Sequence, residues 1–314
     1  MEKQPSIVTI LGTGVWGSAL GKLVKRNQHQ VRFWSRSNGV TLAEAIADTS
    51  VIVSAVSIEG VQPTINRLKQ IAIAPMTIIV TATKGLDPNT TQTPSKMWQQ
   101  AFPNNPVVVL SGPNLSSEID RQLPAATTVA SKNITAAEAI QNIFASETFR
   151  VYINQDPLGT ELGGTLKNIM AIAAGVCDGM QLGTNAKAAL LTRALPEMIR
   201  VGTSLGATAE TFYGLSGLGD LIATCDSPLS RNYQVGYGLA QGKTLQQILG
   251  QLKGTAEGIN TTQVLVKIAR QRKIAVPIAE RVNLLLQAKI TPQQAVKALM
   301  ARELKAESST KLRY

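Results

Sequence analysis

The run SIVTIL (6–11), followed at once by GTGVWG (12–17) and then by SALGKLVKRN, constrains the fold more than any other stretch. A β-branched apolar strand leads into G-x-G-x-x-G, and the last glycine opens a helix. Gly12 permits a tight turn, Gly14 lets the backbone approach a pyrophosphate, and Gly17 allows close packing of helix on strand. The helix N-terminus then faces the anion. Downstream, apolar strand-like runs alternate with helical spacing: VRFW (31–34), TLAEAIAD (41–48), VIVSAV (51–56), TIIVTAT (77–83), VVVLSG (107–112), ATTVA (126–130), TAAEAIQNIFAS (135–146) and FRVYI (149–153). This alternation predicts an α/β, doubly wound parallel sheet of Rossmann type. After NQDPLG (154–159) the patterns become long and helical with no convincing strand, so a boundary is placed near Asp156. The expected domains are 1–155, binding a dinucleotide, and 156–314, all helical and holding substrate. Two domains also suit a chain of 314 residues, beyond the usual size of a single core. The polar tail 305–314 is expected to fray.

Composition excludes several function classes. With 31 Lys and Arg against 20 acids the net charge is +11, which favours anionic partners. The basic residues are dispersed, and aromatics make up only 4%. A small phosphorylated ligand therefore fits better than a nucleic-acid track, and no nucleic-acid partner is expected. The two cysteines, Cys177 and Cys225, have no metal-ligand spacing, so no metal site is expected, and they read as core residues. The one histidine, His29, lies in the polar turn NQHQ, leaving no basis for a His-dependent nucleophile. No apolar run reaches the ~18 residues of a membrane span. The first strand begins by Ile7, without room for a leader. A cytoplasmic location is the expectation.

Four further stretches carry chemistry. In FWSRS (33–37), Arg36 stands where an acid would grip the ribose 2′-hydroxyl of NAD, and no acid follows before Glu44. A cation there suits a 2′-phosphate, which favours NADP and leaves NAD open. In GGTLKNIMAIAAG (163–175), Lys167 stands over Gly163, Gly164, Met170, Ala171 and Ala174, a nearly bare helix face that lets another group come close. ATKG (82–85) and LSGPN (110–114) put Lys84 and a Gly-Pro turn at strand carboxyl ends, where ligands bind such sheets. LSGLGDLIATCDSPLSRNYQVG (215–236) sets Asp220 after a Gly-rich bend and Ser230, Arg231 and Asn232 before a helix, a set able to grip phosphate. Lys187 and Arg193, close together on the intervening helix, read as supporting residues.

Taken in order, GTGVWGSAL, ATKGL, LSGPN, ELGGTLKNIMAIAAGVCDGM, NAKAALLTRA, GLGDLIATC, SRNYQVG and AEG span residues 12–258. This set resembles the bacterial NAD(P)-dependent glycerol-3-phosphate dehydrogenases. The resemblance implies an all-α second domain like that of 6-phosphogluconate dehydrogenase and a site between the domains, which would close on the ligands. It also implies reversible reduction of dihydroxyacetone phosphate to sn-glycerol 3-phosphate, supplying glycerophospholipid synthesis. Lys167 would be the acid/base lysine, and Lys84 a second lysine near substrate and nicotinamide. Gly112, Asn114, Asp220, Ser230, Arg231 and Asn232 would complete the substrate side. Gly12, Gly14, Val15, Trp16, Gly17, Arg36, Lys84, Ser116, Arg231, Thr255 and Glu257 would meet the dinucleotide. A homodimer stays open. The chain departs from the family pattern with Asn114 for the usual Ser or Thr and Ala194 for Gly. Between Arg36 and Val51 it lacks a segment with a Tyr-Leu-Pro signature. Two rivals are a related dehydrogenase for another keto substrate and a non-catalytic Rossmann protein that binds nucleotide or nucleic acid.

Overall fold

The computed structural model describes residues 5–37, 39–252 and 254–303, so the tail 305–314 lies outside the described residues. The first half runs β1 (Ile7–Leu11), α1 (Val15–Arg26), β2 (Gln30–Trp34), α2 (Leu42–Ile46), β3 (Val51–Ser54), α3 (Ile58–Leu68), β4 (Ile78–Thr81), α4 (Pro94–Ala101), β5 (Val107–Ser111), α5 (Ser116–Asp120), β6 (Ala125–Ala130), α6 (Ile134–Phe144) and β7 (Phe149–Asn154). Its strands form one sheet in the order β2-β1-β3-β4-β5-β6-β7. Because β2 and β3 lie on either side of β1, the chain diverges at the carboxyl ends of β1 and β3, the place where such sheets open a ligand crevice. Two apolar layers cover the sheet. Val8, Ile10, Leu20, Val24 and Ile140 pack on one face, and Leu11, Ile52, Ile65, Ile79 and Trp98 on the other.

The expectation of parallel pairing holds for β1 to β5 but not for the next pair, since β5 and β6 are antiparallel. The link from Ser111 to Ala125 carries only the five-residue α5. With no helix long enough to carry the chain back across the sheet, it re-enters from the edge at which β5 ended. The longer α6 then restores a parallel crossover to β7.

The second half is helical throughout its described residues: α7 (Pro157–Gly179), α8 (Gly183–Ser204), a 3-10 turn (Ala209–Tyr213), a π turn (Leu215–Gly219), α9 (Asp220–Cys225), α10 (Arg231–Ala240), α11 (Leu245–Gln251), α12 (Glu257–Arg272), α13 (Pro277–Leu286) and α14 (Pro292–Met300). The 23-residue α7 is buried on nearly every side, as its largely small and apolar sequence dictates. It packs against α8, α9, α10, α12 and α13 and also reaches β5. Its crossing with α10 brings backbone onto backbone: a Cβ on Gly175 would collide with the Tyr233 carbonyl, and one on Gly236 with the Ile172 carbonyl.

Polar ties seat this helix on the sheet. The Ser95 amide, in the first turn of α4, donates to Glu161 Oε1 at 2.8 Å, and Gly85 N donates to Thr165 Oγ1 at 3.1 Å. Asn260 Nδ2 on α12 donates to Leu86 O at 2.9 Å. Burial pushes the Glu161 carboxyl up to about 7 against the hydrogen bonds it accepts from Ser95 and Thr93. Among the described residues no helix is long and apolar enough to cross a membrane.

Candidate active site

Lys167 lies midway along α7 and Lys84 just beyond β4, so the two ammonium groups approach from opposite halves of the molecule. Asp220, the first residue of α9, stands between them. Lys167 Nζ donates to Asp220 Oδ1 at 2.7 Å and Lys84 Nζ to Asp220 Oδ2 at 2.6 Å. Lys84 Nζ also donates to Gly112 O at 3.3 Å, at the end of β5. One helical turn after Asp220, Thr224 accepts from Lys167 and donates to Asp220 Oδ1 at 3.1 Å. An ammonium has three donors, and two on each lysine are used by these protein acceptors. One N–H on each remains for a ligand.

Asp220 is 2% exposed and Lys167 7%, while the Lys84 side chain keeps 20% of its surface open. Burial depresses Lys167 to about 8, against the pull of Asp220, and the like charge of Lys84 adds to the depression. Burial works upward on Asp220, yet the two ammonium groups hold its carboxyl below the ordinary range. Cys225 beside them is pushed up to about 12 by burial and stays a thiol at neutral pH. The small face over Lys167 has a visible purpose, because a Cβ on Gly164 would collide with Ser111 Oγ and press on Lys84 Cε at 3.3 Å. The Ser111 hydroxyl is buried there without a hydrogen-bond partner.

The residues ahead of α10 divide their tasks. Ser230 caps the helix by accepting from Tyr233 N at 3.3 Å. Asn232 turns inward, and its Oδ1 accepts from Gly258 N at 2.9 Å. Arg231 is exposed, with its guanidinium laid against Gly254. Asn114 spends its amide NH₂ on Ala126 O at 3.0 Å, while its Oδ1 is buried and unpaired.

The glycine turn is built differently. Gly12 has φ +104, and a Cβ there would lie 2.9 Å from Ala55 O, so turn geometry and packing both demand glycine. Above Gly14 there is open space. Helix α1 starts without a side-chain cap and without an acid in its first turn. Free amides under open space suit a pyrophosphate. Trp16 Nε1 donates to Ala82 O at 3.1 Å, anchoring this turn two residues from Lys84. Val15 leaves 72% of its surface exposed. Arg36 is exposed in the turn after β2. The nearest downstream acid, Glu44, is bound within its own capping box by Thr41 N and Oγ1 at 2.9 and 2.7 Å. Ser116 opens α5 and is half-buried. Thr255 Oγ1 donates to Glu257 Oε1 at 3.3 Å. Burial raises Glu257, which also accepts from the Ile58 amide at the start of α3 and lies near Arg231.

The structure thus brings Lys84, Lys167, Asp220 and Gly112 together, while Ser230 and Asn232 act first as local anchors. Thr224 was not singled out from the sequence; its spacing of four from Asp220 on a helix is the signal that could have found it. His29 accepts from Ser6 N at 3.1 Å. Among the described residues no group of three His, Cys, Asp or Glu side chains is placed to hold a metal. A surface cavity of about 470 Å³ lined by Lys132, Asp156 and Glu210 includes none of these groups.

Comparison with known proteins gives a consistent result. Residues 156–297 match the family described as NAD-dependent glycerol-3-phosphate dehydrogenase C-terminus, and residues 7–42 and 38–137 its N-terminus. The chain is 62% identical over 301 residues to a glycerol-3-phosphate dehydrogenase [NAD(P)+] of Acaryochloris marina, covering 96% of this chain and 97% of the relative. It is 61% identical over 303 residues to the protein of that name in Synechocystis sp., covering 96% of each. The solved structure of a glycerol-3-phosphate dehydrogenase from Coxiella burnetii superposes with a TM-score of 0.90 at 33% identity, covering 95% of this chain and 99% of that one.

Proposed function

The chain belongs to the NAD-dependent glycerol-3-phosphate dehydrogenase family, and from that premise we propose how its residues perform the reaction. It is an NAD(P)-dependent oxidoreductase that interconverts dihydroxyacetone phosphate and glycerol 3-phosphate. NAD(P)H, when bound, supplies the hydride; the proton is left to the chain. Charge grows on the ketone oxygen as the carbonyl is reduced, so a donor must face it. Lys167 is that donor. Its remaining N–H meets the oxygen, and the resulting neutral amine takes the proton back in the oxidative direction. A value of about 8 places both forms within reach near neutral pH. Asp220 and Thr224 fix the ammonium in place, and Lys84 supplies a second positive charge.

Arg231 takes the phosphate, with the capped start of α10 behind it, and Gly112 and Asn114 line the opposite wall. The turn from Gly12 to Gly17 carries the pyrophosphate, with Val15 and Trp16 beside it, and Ser116, Thr255 and Glu257 close the dinucleotide side. Arg36 favours NADP, because the nearest downstream acid, Glu44, is committed to its own helix cap. In the same reading the enzyme works in the cytoplasm without a nucleic-acid partner and feeds glycerophospholipid synthesis.

The observation that carries this reading is the single buried carboxylate held between two lysines from opposite halves, at 2.7 and 2.6 Å. The test is cofactor oxidation with dihydroxyacetone phosphate, unphosphorylated dihydroxyacetone and simple keto acids, each with NADH and with NADPH. Turnover should strongly prefer the phosphorylated ketone over a slow but measurable rate with the unphosphorylated one, run better with NADPH, and fall by about 10³-fold or more in Lys167→Ala. Normal turnover by that variant removes the lysine from the mechanism.

A further inference from the structure

Behind the Arg231 turn lies a second charged cluster that the reaction does not use. Lys187, one turn into α8, donates to Asp178 Oδ2 at 2.7 Å and to Asp226 Oδ1 at 3.0 Å. Tyr233 OH donates to the same Asp178 oxygen at 2.7 Å, and the Lys187 ammonium stands 5.7 Å from the Tyr233 ring centre. Asp178 ends the helix that carries Lys167. Asp226 caps the carboxyl end of the helix that carries Asp220 and Thr224. Tyr233 follows Asn232 in the first turn of α10.

Both aspartates sit at helix carboxyl ends, where the macrodipole repels negative charge. Neither position is one that helix stability would choose, and Lys187 is the cation that offsets both. Its side chain is 18% exposed and Asp178's 28%, so that pair differs from a solvated surface pair, whose contribution is small; the Asp226 end of the bridge is exposed and is held by the lysine that Asp178 and Tyr233 fix in place. Only four residues separate Asp226 from Arg231, and they form the turn that ends in the Ser230 cap. A lysine that fixes one end of this turn to α7 therefore fixes the direction in which Arg231 leaves it.

We propose that Lys187 is a positioning residue for the phosphate grip, clamping the Asp226–Ser230 turn to the end of α7 so that Arg231 is presented to the substrate. The proposal rests on the reading of Arg231 given above. It adds that anion affinity is set by a cluster that never touches the anion.

The test compares Lys187→Met, Lys187→Arg and Asp226→Asn with the wild type, using dihydroxyacetone phosphate and unphosphorylated dihydroxyacetone. Lys187→Met should raise KM for the phosphorylated ketone about tenfold with kcat within about twofold, since a displaced binding group weakens substrate capture and leaves the proton donor in place. Its kcat/KM for the unphosphorylated ketone should stay unchanged. Lys187→Arg should recover most of the loss. Asp226→Asn, at a residue whose side chain is 77% exposed, leaves the Lys187–Asp178 pair intact and should show the same KM effect. It also carries the test if Lys187→Met fails to fold. Equal losses on both ketones, or no change in KM for either variant, overturn the proposal. A wild type that does not prefer the phosphorylated ketone overturns the reading of Arg231 itself, and that outcome is visible without any variant.

Discussion

The glycine turn and the lysine pocket solve opposite electrostatic problems. At the start of α1 the chain offers an anion uncapped backbone amides, open space over Gly14 and no acid in the first turn. Around Asp220 it buries two formal charges, those of Lys167 and Asp220, and sets a third, the half-buried Lys84, against the same carboxylate. The turn depends on what is absent, a Cβ at Gly12 and at Gly17 and a carboxylate along the next turn. The pocket depends on side chains that arrive from far apart in sequence and must all be present at once. Binding through backbone tolerates changes nearby, whereas a closed network of charges fails when one member is lost.

Of the substitutions that separate the two regions, removing the shared carboxylate should give the largest effect. Asp220→Asn leaves two ammonium groups near each other without their counter-charge, and breaking a buried pair in this way costs about 3–5 kcal/mol. Turnover should fall by about 100-fold or more, because Lys167 loses the partner that orients it. NADPH affinity, measured by fluorescence titration, should stay within about twofold. A variant that lost cofactor binding as severely as turnover would show that the two regions are not separate. The converse substitution, Gly12→Ala, should cost less. With φ at +104 and the Ala55 carbonyl 2.9 Å from the new Cβ, the turn must distort. Strain of this kind costs about 1–3 kcal/mol. Cofactor Kd should rise about tenfold, with the pH profile of turnover at saturating cofactor unchanged.

The same contrast explains what could be read from the sequence. The turn is local: one strand, three glycines and one helix state its chemistry within a dozen residues, and Arg36, on which the proposed coenzyme preference rests, follows a short way on. The pocket is assembled across separations of 53 residues, Lys167 to Asp220, and 136, Lys84 to Asp220. Spacing could flag the bare face over Lys167, but it could not show that two lysines share one carboxylate. Family resemblance grouped them, and geometry then supplied Thr224, a threonine with no distinguishing pattern except its place one turn after Asp220. The β5–β6 reversal was missed for a related reason. A strand-like run after a short link reads the same in either direction, and only the length of helix between the runs separates a crossover from a return. Glu161 escaped notice because a carboxylate in the first turns of a helix is ordinary, while its true partner is the first turn of α4.

The smallest effect is the most specific to the pocket. In the proposed mechanism reduction needs Lys167 protonated, so its rate should fall as pH rises through about 8, and oxidation should show the mirror image. Lys84 lowers Lys167 by like charge and also shares the Asp220 carboxylate. In Lys84→Gln both influences are relieved in the same direction, since the repulsion disappears and Asp220 is left to one cation. Lys167 then holds its proton more tightly, and the falling limb of the reductive profile should move to higher pH even as substrate affinity drops. Folding stability is linked to the same proton. Unfolded lysine stays protonated up to its ordinary 10.5, whereas folded Lys167 releases its proton near 8. Between those values the unfolded chain binds more protons, so this group makes the wild type more stable as pH rises through that window. In Lys84→Gln the window narrows from below, and denaturant midpoints compared at pH 7.5 and 9.5 should show a smaller gain than in the wild type. A limb that stays fixed or moves to lower pH would mean that Lys84 acts on the substrate alone and leaves the proton donor untouched.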